Sequence, residues 1–229
     1  GTDAVEAARF DSSQRLLVGT TSSRSTAGTG ADLQVETTDA GGRISVVQNR
    51  NDATACPFVV IGKSRGTSIG SNTVLQDDDR IGAVVFAGAD GTDMGADAAR
   101  IIAEVDGTPG SNDMPGRLIF STTADGSDSA TERLRIDSSG RMGLGTNSPD
   151  SYVGGGDNFV IAGSGNAGMT IATGTSSTGT INFADGTSGD ARFRGRFEYN
   201  HSTDALDILT AATTQMRITS GGQVRIGSF

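Results

Sequence analysis

The sequence predicts an all-β protein of short strands and hairpins with almost no helix. An eleven-residue phrase occurs three times without a gap, at 9–19, 135–145 and 217–227. In each copy apolar and polar residues alternate, which is the period of a strand with one apolar face. Helical periodicity with end caps is missing, because even the Ala-rich stretch 94–104 runs into an alternating strand, which allows one short helical turn at most.

Each copy of the phrase predicts a β-hairpin. Two apolar residues precede a polar turn and two follow it at the same spacing. Gly140, Gly221 and Gly222 supply the positive φ that such a turn tends to need, and Asp137 and Ser138 can hydrogen-bond the local backbone. A lone two-stranded hairpin is marginal in water, so its apolar face must be covered by something else.

The composition argues against an ordinary globule. Leu, Ile, Val and Phe make up about a fifth of the 229 residues, Gly contributes 34, and Trp is absent. Such a composition approaches that of disordered chains. A disordered chain, however, has no reason to keep period-two spacing in three separated copies. We therefore predict a repetitive β-protein whose core is thin within one chain and is completed by neighbouring chains, as in an obligate oligomer.

The charge and the single cysteine exclude several classes of protein. A net charge of −9 argues against a nucleic-acid or membrane-surface partner, since both favour a basic face. The sequence has no apolar stretch near 18 residues and no signal-peptide pattern, so no membrane insertion is expected. Cys56 is the only cysteine, which rules out an intrachain disulfide. It begins the apolar run of what we interpret as a strand entering the interior, where a free thiol is inert.

The repeat extends beyond the hairpin and divides the chain into three modules. Leu33 and Val35 correspond to Phe159 and Ile161 at the offset that relates Arg9 to Arg135. Farther along, 82–86 resembles 179–183, and 99–105 aligns with 191–197. We predict the end of a preceding stalk module at 1–30, a long β-module at 31–148 and a shorter duplicate at 149–229, the last two each closing with a hairpin.

Longer phrases carry a family resemblance. Residues 132–149, with 103–110 and 114–126 before them, closely resemble tail-fibre proteins of tailed bacteriophages, especially marine ones. Residues 180–220 resemble the segment that precedes a C-terminal intramolecular chaperone in such fibres. The resemblance covers nearly the whole chain after about residue 75.

The resemblance implies an elongated homotrimer wound about a threefold axis, an intertwined triple β-helix-like stalk with β-sandwich-like modules. Such a fibre is made in the host cytoplasm and projects from the virion to contact the host surface. Its partners would be its own copies, other virion tail proteins, and a host cell-surface glycan or protein, with no nucleic acid and no cofactor. The expected trimer core consists of Phe10, Leu16, Val18, Leu134, Ile136, Met142, Leu144, Met216, Ile218, Val224 and Ile226.

Catalysis is the main alternative, because some phage tail proteins degrade capsular polysaccharide. A glycosidase needs two facing carboxylates, one of them kept protonated. The candidates are Glu104 with Asp106 and the acidic run 77–79, but turn and strand-edge positions explain these residues as well. We expect no enzyme. A polysaccharide-degrading tail spike and the stalk of a bacterial trimeric surface adhesin remain alternatives.

Residues for ligand contact are sparse. We expect no metal site within one chain, although an ion on a threefold axis stays open with no residue favoured. Aromatic and polar side chains suit sugar-binding surfaces, and Arg194, Arg196, Tyr199 and His201 are the candidates for receptor contact. A solvated strand edge would explain the same residues.

Overall fold

The structure is a computed structural model that describes residues 6–38 and 41–227. The chain falls into two compact units, one up to Ala167 and one from Gly168. Over the described residues it has sixteen β-strands and two short 3-10 helices, Pro149–Ser151 and Gly189–Phe193, with no α-helix. The prediction of an all-β chain is therefore confirmed.

The first sheet contains three short strands from the beginning of the chain: β1 (Ala8–Phe10), β2 (Leu16–Val18) and β5 (Leu33–Val35). Strands β1 and β2 form an antiparallel hairpin, and β5 pairs with β2 in parallel. Between them β3 (Ser25–Thr26) and β4 (Thr29–Gly30) form a separate small hairpin. In this sheet, the hairpin formed by the first copy of the phrase is extended by one parallel strand.

A six-stranded sheet follows in the same unit. Its strands are β6 (Arg80–Ala87), β7 (Asp97–Val105), β8 (Gly116–Thr123), β9 (Ala130–Ile136), β10 (Met142–Leu144) and β11 (Phe159–Ile161). They lie in sequence order, antiparallel except for the last pair. The second phrase comprises the end of β9, the turn and β10. Strand β11 pairs with β10 in parallel, as β5 pairs with β2. The predicted correspondence of Leu33 with Phe159 is thus confirmed in three dimensions.

The second unit is built on a five-stranded antiparallel sheet. Its strands are β12 (Thr178–Phe183), β13 (Gly195–Asn200), β14 (Ala205–Thr210), β15 (Thr213–Ile218) and β16 (Val224–Ile226). Strands β15 and β16 are the third phrase. All three copies of the phrase are therefore hairpins, as predicted.

The turns of the three hairpins are closed in a similar way. The Oδ1 atom of Asp137 accepts the backbone N–H groups of Ser139 (2.9 Å) and Arg141 (2.8 Å), and its Oδ2 atom accepts Nε of Arg141 at 2.7 Å. Asp11 makes the equivalent bonds in the first copy. In the third copy Thr219 Oγ1 accepts only the backbone N–H of Gln223, at 3.2 Å. The side chain of the phrase's third residue therefore closes each turn.

One predicted alignment within the modules is wrong. The sequence aligned 99–105 with 191–197, which makes Val105 the counterpart of Phe197. In the structure Val84 pairs with Ile101, and its counterpart Ile181 pairs with Phe197. Ile101 is thus the true counterpart of Phe197, because residues up to Phe193 form a 3-10 helix and the strand starts later.

Candidate assembly surface

Two rows of apolar residues cross one face of the six-stranded sheet. Residues directly opposite each other on neighbouring strands point to the same face, so strand pairing assigns the rows. The first row consists of Val84, Ile101, Phe120, Leu134, Leu144 and Ile161. The second consists of Ala103, Leu118, Ile136, Met142 and Phe159. This face carries no charged side chain at these positions.

The other two sheets repeat the pattern. On the five-stranded sheet the rows are Ile181, Phe197, Ile208, Met216 and Ile226, and Tyr199, Leu206, Ile218 and Val224. On the three-stranded sheet they are Phe10, Leu16 and Leu33, and Ala8, Val18 and Val35. We call these surfaces the apolar faces of the three sheets.

The apolar faces are only partly covered within the chain, because residues such as Ile136 and Met216 are half-buried and others are exposed. Phe10 is 74% exposed and Ile226 is 82% exposed, and Val84, Leu144, Phe159 and Phe183 are also exposed. Soluble monomers rarely present large contiguous apolar patches, so these faces are candidates for protein contact. All eleven residues of the expected trimer core lie on them. That these residues meet around a threefold axis remains a prediction.

The opposite face of the six-stranded sheet carries ion-paired polar side chains above its apolar residues. Ile102, Ile119 and Val160 are buried there. Around them Glu104 accepts bonds from Arg80 at 3.1 Å and from Arg117 at 2.8 Å. Long Arg side chains cover apolar residues with their methylene groups and keep their charge near water. The two faces therefore differ: one is a solvated, ion-paired surface, and the other lacks a partner.

The candidate catalytic carboxylates Asp79, Glu104 and Asp106 are all held in ion pairs. Hydrogen bonds from Arg65, Gln76 and Lys63 hold the pKa of Asp79 far below its usual range. Partial burial alone raises the pKa of Asp106, but bonds from Ser138 and Arg117 outweigh it and leave the pKa lowered. A glycosidase acid needs a raised pKa, the reverse of what these two groups show. Of the other candidates, Glu104 accepts hydrogen bonds from Arg80 and Arg117, Asp78 pairs with Arg117, and Asp77 accepts the backbone N–H of Gly107.

The four candidate receptor residues do not lie on one surface. Tyr199 and His201 pack edge to face with ring centroids 4.9 Å apart, and Tyr199 lies on the apolar face. Arg196 points to the opposite face, pairs with Glu198 at 3.1 Å and lies over the Phe193 ring. Arg194 is exposed and lies 3.7 Å from Asp185. Receptor contact by these residues stays a prediction.

An open cavity of about 290 Å³ lies on the apolar face of the five-stranded sheet. Ile181, Phe197 and Tyr199 line it, together with Ile171 from the segment before the sheet. Sequence reasoning missed Ile171, because that segment has neither a repeated phrase nor a strand pattern. Its presence there shows that the chain beside the sheet contributes to the same surface.

The part of the chain that the structure describes contains no cluster of three or more His, Cys, Asp or Glu side chains suited to a metal ion. Among the same residues, no helix has the length and apolar character needed to cross a membrane.

The solved structures that are similar to this chain include two of a phage tail-fibre domain. The chain is similar to the carboxy-terminal domain of the L-shaped tail fibre of bacteriophage T5, with 12% identity and a TM-score of 0.38, over 80% of this chain and 90% of that one. It is also similar to that domain with its intramolecular chaperone domain, with 10% identity and a TM-score of 0.43, over 80% of this chain and 62% of that one. No protein-family model and no curated protein sequence matches the chain.

Proposed function

We propose that the chain is a structural, non-enzymatic segment of a phage tail fibre. It assembles as a homotrimer, projects from the virion and mediates attachment to the host surface. The observation that carries the proposal is the partly exposed apolar face on the three larger sheets. The resemblance of the long phrases to tail-fibre proteins adds the biological setting.

The apolar faces favour other copies of the chain as the partner. Each large apolar side chain gains about 1.5–3 kcal/mol when it moves from full exposure to full burial. The apolar faces recur on the three larger sheets and in both units, so each unit needs a partner, and identical copies supply one for every face. Closed rotational symmetry then leaves no face open.

Host attachment is a separate part of the proposal. A trimer that covers the apolar faces also covers Tyr199, which lies on one of them. Arg194 lies outside these faces and remains exposed. Of the four candidates, we therefore propose Arg194 as the side chain that reaches a host glycan or protein.

The fibre role is tested by electron microscopy of the purified chain and by peptide mass spectrometry of purified virions. The account expects rods with threefold character and peptides of this chain in the virion. Isolated globular particles contradict the assembly. Absence from virions, with the chain found on bacterial surfaces instead, favours the adhesin.

Attachment is tested by binding of the labelled protein to host cells. Arg194→Ala is expected to reduce binding, whereas Arg192→Ala, an exposed arginine two residues away, keeps it. Equal binding of both variants contradicts a role for Arg194 and leaves the fibre role standing. Release of oligosaccharides from host capsule by the purified protein would contradict the non-enzymatic part and favour the tail spike.

A further inference from the structure

Residues 44–61 form an extended stretch that has no backbone hydrogen-bond partner among the described residues, 6–38 and 41–227. No strand is assigned between β5 and β6, and within the described residues none of the backbone–backbone hydrogen bonds involves 44–61. Among the side chains of the described residues, Asp52 alone accepts hydrogen bonds from these backbone N–H groups, those of Thr54 and Ala55. Backbone groups left this way must be solvated or paired with another chain.

The side chains of this stretch predict pairing with protein. Two apolar runs, Ile44–Val47 and Phe58–Ile61, contain seven large apolar residues that are 50–85% exposed. Most are β-branched or aromatic, the types that favour strands. The second run is apolar at consecutive positions, which is typical of a strand buried on both faces. A single chain covers neither of them.

Charge and position point to a second copy as the partner. The only charged residues of the stretch, Arg50 and Asp52, pair with each other at 3.0 Å, which leaves it neutral and suited to an apolar surface. The second unit repeats the arrangement: an extended segment with exposed Met169 and Ile171 lies between β11 and β12. Because this feature recurs in both modules, we expect it to take part in their assembly.

The stretch is anchored where it rejoins its own sheet. Ile61 lies so close to Gly82 of β6 that a Cβ at Gly82 would lie 2.2 Å from its Cγ2 atom. A Cβ at the equivalent glycine of β12, Gly179, would lie 3.6 Å from the Cγ2 atom of Ile171. In both units, therefore, an isoleucine of the segment before the edge strand packs against a glycine near the start of that strand.

From these observations we infer that residues 44–61 cross to a neighbouring copy and pair with it as a β-strand. Their apolar side chains pack against that copy's apolar face. This inference rests on the proposed trimer and deepens it, because it names the segment that joins one chain to the next. Each trimer then contains three such exchanged segments.

Hydrogen exchange of the native full chain, followed by mass spectrometry, tests the inference. Amides of 44–61 are expected to exchange at least about 100-fold more slowly than in the unfolded chain, while those of the exposed loop 125–129 exchange fast. Cys56 gives an independent readout, since its thiol is exposed in a single chain. The sequence placed it in an interior, and in the paired segment it should react with a thiol reagent only slowly until the protein is denatured.

A matched pair of variants tests the packing. Val60 and Val153 are both 85% exposed in one chain, but Val153 lies in a turn outside the stretch, where its carbonyl accepts the N–H of Gly156. Val60→Asp is expected to abolish exchange protection of 44–61 and weaken assembly, and Val153→Asp to leave both unchanged. Fast exchange and rapid Cys56 labelling in a wild-type protein that is trimeric overturn the inference alone. A monomeric wild-type protein overturns the trimer and the inference together.

Discussion

Substitutions at two glycines of the second phrase distinguish the energetic cost of backbone strain from that of steric overlap. Gly140 and Gly145 have φ values of +79° and +76°, a region that costs other residues about 1–2 kcal/mol. A Cβ at Gly140 would meet nothing within 4 Å, whereas at Gly145 it would lie 2.1 Å from the carbonyl oxygen of Ala162. Ala162 follows β11, and its N–H donates to the carbonyl of Leu144 at 2.9 Å. Only Gly145→Ala therefore displaces the parallel strand.

The difference between the variants has a definite expected size. Gly140→Ala should cost about 1–2 kcal/mol of unfolding free energy. Gly145→Ala should cost about 2 kcal/mol more, since it also breaks one or two ladder hydrogen bonds of about 0.5–1.5 kcal/mol each.

Thermal unfolding followed by circular dichroism, at equal protein concentration, checks these values. The midpoint of Gly145→Ala should lie about 4–8 °C below that of Gly140→Ala. Gly19→Ala repeats the experiment in the first copy, where the added Cβ would lie 2.3 Å from the carbonyl oxygen of Glu36. Equal midpoints for Gly140→Ala and Gly145→Ala would refute the idea that the last residue of the phrase must be glycine so that the parallel third strand can lie close to it.

Three further results are expected. Asp137→Ala removes the carboxylate that closes the second turn and should lower the unfolding midpoint, while Ser139→Ala, at an exposed side chain, should leave it unchanged. The pKa values of Asp79 and Asp106 are lower in the folded chain than the ordinary value of about 4. The two ionised carboxylates therefore stabilise the fold above that pH, and this stabilisation is lost as the pH falls below it. The midpoint should accordingly stay level from about pH 5 to 8 and fall in acid, a profile that a midpoint rising toward acid would contradict. Ile136→Asp places a charge on the apolar face and should give monomeric or unfolded chain, and a stable trimer of this variant by light scattering would be evidence against the assembly surface.

Local features of the fold were predictable because they depend on residues close in sequence. The spacing around the turn determines each hairpin. The repeated offset identifies Phe159–Ile161 as the counterpart of Leu33–Val35, and each of these strands pairs in parallel with the hairpin of its own copy. The fold class follows from the same alternation. The alignment of 99–105 with 191–197 failed because a 3-10 helix ending at Phe193 is invisible to a period-two pattern.

The candidate surface was only partly predictable. The phrase identified residues such as Ile136 and Met142, since they alternate within a hairpin. Apolar residues outside the phrase, such as Phe120 and Ile181, join the apolar faces through strand registers that only the folded chain specifies. The apolar run that Cys56 begins is typical of an interior strand, and the structure shows it extended and exposed in a single chain.

Other copies of the chain are proposed to cover the apolar faces. The mass of the purified protein in dilute solution, measured by sedimentation equilibrium, tests this assembly. We expect three times the mass of one chain across the concentration range. A soluble, folded species with the mass of a single chain would contradict it.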